Sequence, residues 1–268
     1  MLFSYGITLL ILCPLVFLAA FIDAIAGGGG LISLPAYLFV GLPIHTAYGT
    51  NKFSASLGLV TATTNYLREG CVDFSAAVSG GIFAFIGSLI GTRLALSLSP
   101  RALQISLMIF LPLAGAFVLL RRAAANPAPK QAPGFRLKIF LCSCIGLVFG
   151  CYDGFFGPGA GMFMIIALTG LIRLEMIKAA GTAKVINFSS NLTSMITWLI
   201  NGKIFFSLAI PCMVCSIAGG YLGSRMAIKT GKQFIRVVLV IVAALLFGKI
   251  LFDVLRETRI FTGLPQTG

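Results

Sequence analysis

Runs of about 20 predominantly apolar residues follow one another along the 268-residue chain, with no stretch between them long enough for a soluble domain. A helix of that length matches the hydrocarbon thickness of a bilayer. In hydrocarbon every backbone N–H and C=O must be satisfied internally, which leaves helices or closed barrels. The strict alternation of barrel strands is absent, so the fold class reads as all-α, a polytopic helical membrane protein. Composition agrees: 58% of residues are hydrophobic and 10% charged, with a mean hydropathy of +1.02, whereas soluble domains carry about 25% charged residues. Residues 1–20 lack a basic n-region and an A-x-A-like cleavage site, so they read as the first span rather than a cleaved signal.

The formal net charge of +13 comes from 20 Lys and Arg against seven Asp and Glu. In a polytopic chain such an excess belongs to cytoplasmic loops facing anionic lipid, and no nucleic-acid partner is expected. The seven cysteines lie mostly within apolar runs. Cys142-x-Cys144 and Cys212-x-x-Cys215 lack a supporting histidine or second pair and read as small buried residues, so no metal site is expected.

Apolar patterning gives segments at 3–26, 29–42, 45–67, 74–98 and 102–121, then 136–156, 159–172, 176–200, 204–228 and 233–255. They divide the chain into a first transmembrane repeat (1–121), a cytoplasmic linker (122–135) rich in proline and cations, and a second repeat (136–268). Asp23 and Gly27 recur 130 positions on as Asp153 and Gly157. At an offset of 132, "GTNK" ending at Lys52 matches "GTAK" ending at Lys184, Gly70 matches Gly202, and "GSLIGTR" (87–93) matches "GGYLGSR" (219–225). Five crossings per half would make the repeats inverted, the arrangement expected here. Segments 29–42 and 159–172 reach only about 21 Å as helix; as broken or re-entrant pieces they would leave eight crossings and parallel halves.

Each short segment opens at a glycine break, "AGGGGLISLP" and "FFGPGAGMFM". Broken helices at membrane depth require a protein or water-filled surround, and in transporters their free N–H groups face anionic substrates. Gly28, Gly29, Gly159 and Gly161 are the expected backbone donors. Lys52 and Lys184 lie deep inside their segments and supply either substrate charge or a partner for the carboxylates. Asn51 and Asn187 are the best side-chain donors. Asp23 and Asp153 stand immediately before the breaks, as proton carriers or as acceptors for loose turn N–H groups. The glycine runs sit in no βαβ unit, and no GK[ST] loop occurs, so no nucleotide or other cofactor is expected.

These paired motifs, Asp23 with "AGGGG", "GTNK", "YDGFFGPGAG" and "GTAK", resemble the TauE/SafE family, also called the sulfite exporter or toluene-sulfonate uptake permease family. The resemblance spans nearly the whole chain. It implies a multi-pass permease of the bacterial inner membrane, not an enzyme, for sulfite, sulfonates or related small organosulfur anions. Transport would be secondary and proton-linked, and a homodimer is one assembly open to it. The rival readings are a gated anion channel and an intramembrane aspartyl protease using Asp23 and Asp153, whose usual Gly-x-Gly-Asp partner motif is missing here.

Overall fold

The computed structural model describes residues 3–106, 133–231, 233–235 and 237–238, and among them there are helices and no strands. The expected segments 102–121 and 233–255, and the linker 122–135, lie largely outside the described residues. The first half contains α1 (Tyr5–Ala26), α2 (Gly30–Phe39), α3 (Ile44–Arg68) and α4 (Phe74–Ser97). The second contains α5 (Phe135–Phe155), α6 (Ala160–Ala167, extended by one π-turn over Leu168–Ile172), α7 (Met176–Ile200) and α8 (Phe206–Thr230). α1, α4, α5 and α8 are long and apolar enough to cross a bilayer. They turn residues such as Leu10, Val78, Phe140 and Val214 outward, as lipid-facing helices must.

Each short helix follows a break set by glycine. α1 stops where Gly27 adopts φ 77° and donates to the Asp23 carbonyl. α6 starts after Gly159 at φ 82°, a backbone region that side chains disfavour. α2 then returns to the side on which α1 begins, where the Phe39 ring lies 5.9 Å from that of Phe3. α6 likewise ends at Ile172, in one apolar cluster with Cys142 near the start of α5. The short segments are therefore the returning arms of re-entrant hairpins.

Neighbouring contacts fix helix direction. Gly146, Gly150 and Gly154 of α5 lie against Gly80, Ala84 and Ser88 of α4, so these two run parallel. Gly219 and Gly223 of α8 lie in the same way beside Phe17 and Phe21 of α1. α3 runs parallel to α8, with Gly58 against Gly220 and Asn65 donating to Ser224. α4 runs parallel to α7, with Ser88 and Thr92 donating to Ser190 and Ser194. α3 and α7 are antiparallel: Gly49 lies beside Trp198, and Thr63 donates to the Lys184 carbonyl. With no hydrophobic force between helices in lipid, small residues that admit close backbone contact drive this packing. Arg68, Arg136, Lys138, Arg173, Lys178 and Lys229 fall on one face and Arg93, Arg101 and Lys203 on the other. The positive-inside bias assigns the first face to the cytoplasm.

On that cationic face Asp73 caps α4 by accepting from the Ala76 N–H and pairs with Lys138 of α5 at 2.6 Å. Burial pushes its carboxyl up, but Lys138, the Ala76 N–H and Ser75 outweigh burial and hold it below the ordinary Asp value. A depressed folded pKa contributes stability that is complete above the ordinary Asp range and is lost as pH falls through the folded value. Asp73→Ala should flatten this acid limb and lose about 0.5–2 kcal/mol at neutral pH, measured by unfolding in detergent.

A methyl group at Gly87 would overlap the Leu147 carbonyl, whereas one at Gly81 would sit 3.8 Å from Ser189 in ordinary contact. Gly87→Ala is expected to cost about 1–3 kcal/mol and Gly81→Ala to be neutral or stabilising, read as melting temperatures of the purified protein.

Candidate functional site

The two glycine breaks meet at the centre of the molecule. The Met162 N–H donates to the Gly27 carbonyl at 3.2 Å, and Gly30 packs against Pro158. The buried apolar residues form two clusters, one with Tyr37, Tyr48, Phe156 and Trp198 and one with Ile25, Tyr66, Met164 and Ile186. A partly open cavity with about 60 Å³ of free space adjoins the breaks, several times the roughly 10–15 Å³ that one water requires.

Charges around the cavity pair crosswise between the halves. Lys184 Nζ contacts Asp23 Oδ2 at 2.8 Å, and Lys52 Nζ contacts Asp153 Oδ2 at 2.9 Å. The pairs differ in their remaining bonds. Asp23 Oδ1 accepts from the Gly29 N–H at 3.2 Å, so both of its oxygens are engaged. Asp153 Oδ2 accepts from Lys52 and from Ser190 Oγ, while no described residue donates to Oδ1. The Lys184 side chain is 0% exposed and does not line the cavity; Lys52, Asp23 and Asp153 do. Each carboxylate is thus held by a lysine of the other half.

Of the other expected site residues, Gly29, Gly161, Asn51 and Asn187 line the cavity, while Gly28 and Gly159 do not. Asn191, Ser216, Gly27 and Gly157 line it too. Asn191 was legible as one of the polar positions around Lys184; Ser216, in an ordinary apolar helix, gave no signal. Asn51 Oδ1, Asn187 Oδ1, Asn191 Oδ1 and Ser216 Oγ are buried without a hydrogen-bond partner. Each unmet buried group of this kind costs about 1–3 kcal/mol, and four of them belong to residues that line this one cavity. Val16, Ala19, Ala55 and Leu59 add apolar surface to the lining. No group of His, Cys, Asp and Glu suited to a metal occurs among the described residues, and all seven thiols are free.

Removing one member of a buried ion pair costs about 3–5 kcal/mol because the other charge is stranded. Asp23→Ala strands the fully buried Lys184 ammonium and should destabilise the purified protein by that amount. Adding Lys184→Met should recover most of it, as a double-mutant cycle of unfolding free energies would measure.

The sequence pattern of the sulfite exporter TauE/SafE family matches residues 12–250. A probable membrane transporter protein of Haemophilus influenzae is 38% identical over 249 residues, covering 92% of this chain and 96% of the relative. The probable membrane transporter protein YfcA of Escherichia coli K12 is 32% identical over 237 residues, covering 88% and 87%. YdhB of Bacillus subtilis, also a probable membrane transporter protein, is 25% identical over 201 residues, covering 75% and 82%. No solved structure matches. Four long apolar helices and transporter relatives are consistent with a multi-pass inner-membrane protein. The chain belongs to the sulfite exporter TauE/SafE family, a family of membrane transporters rather than enzymes.

Proposed function

We propose that this protein is a secondary transporter that carries a small anion, a sulfite or short sulfonate, through the cavity between the two glycine breaks. The observation that carries the reading is the convergence of Lys52, the side-chain amides of Asn51, Asn187 and Asn191 and the Ser216 hydroxyl on one cavity. A sulfonate presents three oxygens and one charge, and charge-assisted bonds from several donors suit it. The apolar wall of Ala55 and Leu59 suits a short organic tail on the sulfur. Gly29 and Gly161 bring main chain to the cavity edge, the usual place for anions at broken helices in transporters.

The two repeats are inverted in this account. The opposed runs of α3 and α7, which carry the matched lysines, support it. So does the hairpin geometry: α1 and α2 begin and end on one side, leaving α3, α4 and the expected segment 102–121 as an odd number of crossings. Inverted halves that trade exposure of a midplane site perform alternating access.

Flux of radiolabelled sulfite and sulfoacetate into proteoliposomes tests the proposal. Saturable, counterflow-competent transport is expected, abolished in Lys52→Ala. In Asn187→Ala apparent affinity should fall about tenfold or more, the worth of one hydrogen bond to a charged group. Transport unchanged in Lys52→Ala would remove this cavity as the site.

A further inference from the structure

We infer that the two carboxylates have separate tasks: Asp153 is the proton site of the anion cycle, and Asp23 is a fixed clamp on the glycine break. The inference rests on the cavity being the anion site. Its starting point is the asymmetry of two pairs that look equivalent in sequence.

An anion entering the cavity meets Lys52, whose ammonium is already satisfied by Asp153. Two anionic groups cannot share one buried cation at low dielectric without strong repulsion. Protonation of Asp153, which lines the cavity, resolves this, because the neutral acid releases Lys52 to the anion. The charge of the enclosed site is then the same before and after loading. Lys52 with ionised Asp153 sums to zero, and Lys52 with the bound anion and neutral Asp153 also sums to zero, so the loaded and empty forms carry equal net charge across the bilayer.

The new acid O–H needs an acceptor. The oxygens of Asn187 and Asn191 line the same cavity as Asp153 and have no partner. Free carbonyl oxygens are out of place around a purely anionic ligand but fit a site that alternately holds an acid proton. Asp153 Oδ1, free of any described donor, is the oxygen open to that proton.

Asp23 cannot perform the same exchange. Its partner Lys184 does not reach the cavity, so no incoming anion could replace the carboxylate there. Its other oxygen holds the Gly29 N–H, and releasing it would free the break itself. The groups facing Asp153 are Lys52 from α3, Ser190 from α7 and, across the cavity, Asp23 held by Lys184. The hydroxyl of neighbouring Tyr152 is engaged with the Pro158 carbonyl. The α4 hydroxyls of Ser88 and Thr92 are engaged with the Ser190 carbonyl and with Gly154 and Ser194. Among the described residues, Lys52 is therefore the cation that Asp153 can release.

Methanesulfonate, which does not itself titrate near neutral pH, is the probe. Calorimetry of its binding to the purified full chain, in buffers of different ionisation enthalpy, reads the proton count. Uptake approaching one proton per anion is expected, with affinity rising about tenfold per unit fall in pH while Asp153 is ionised in the empty protein. Infrared difference spectra of the wild type should show a protonated carboxyl band on binding. That band should vanish in Asp153→Asn and persist in the Asp23→Asn/Lys184→Met double variant. Saturable binding with neither proton uptake nor the band would overturn the inference while leaving the anion site intact, as would a band that survives Asp153→Asn. If the wild type binds neither methanesulfonate nor sulfite, the reading of the cavity falls and the inference with it.

Discussion

The crosswise ion pairs, Lys52 with Asp153 and Lys184 with Asp23, are the constraint on which the rest of this structure depends. A charge at membrane depth is tolerated only inside a protein surround and beside a partner. Each half supplies a carboxylate at its own break and a lysine for the break of the other half, so neither half can neutralise itself. Interlocked halves are the consequence, and the parallel packing of α1 on α8 and of α4 on α5 builds the shell around them. α3 and α7, too polar for lipid, occupy the centre because the outer helices cover them.

Specialisation arises from small departures from the repeat. Asn51 corresponds to Ala183, and Asn187 and Asn191 correspond to Ala55 and Leu59. These exchanges give the cavity a lining of unequal polarity, amides from α7 where α3 offers Ala55 and Leu59. The ion pairs diverge through their surroundings in the same manner. In one, Lys184 is fully buried away from the cavity while Asp23 lines it and is a quarter exposed; in the other, Lys52 and Asp153 both line the cavity and are nearly buried, with Ser190 beside the carboxylate. Near-symmetry brings the matched groups of the two halves to one cavity, and its violations make their surroundings unequal.

Much of this was legible in the sequence. Glycine runs within apolar segments are strong local signals, and the expected short segments at 29–42 and 159–172 enclose α2 and the α6 unit. Buried Asp and Lys stand out for the same reason, since solvation makes them improbable at depth unless they serve something. Pairing partners were not legible, because the choice between own-half and cross-half contacts belongs to tertiary packing. Four consecutive glycines carry no mark of which one faces a cavity: Gly27, Gly29 and Gly30 do, and Gly28 does not. The short segments left the count of crossings open in sequence, because whether such a piece crosses or turns back after the long helix before it belongs to tertiary packing.

The most direct test of the account is where an anion binds. Selenite shares the pyramidal shape and charge of sulfite and carries an anomalous scatterer. A crystal structure of the protein with selenite should show its selenium between the two breaks, with oxygens in hydrogen-bond reach of Lys52 and of the Asn187 amide. Selenium bound only at the cationic surface, with the central cavity holding water alone and the protein still competent for transport, would contradict it.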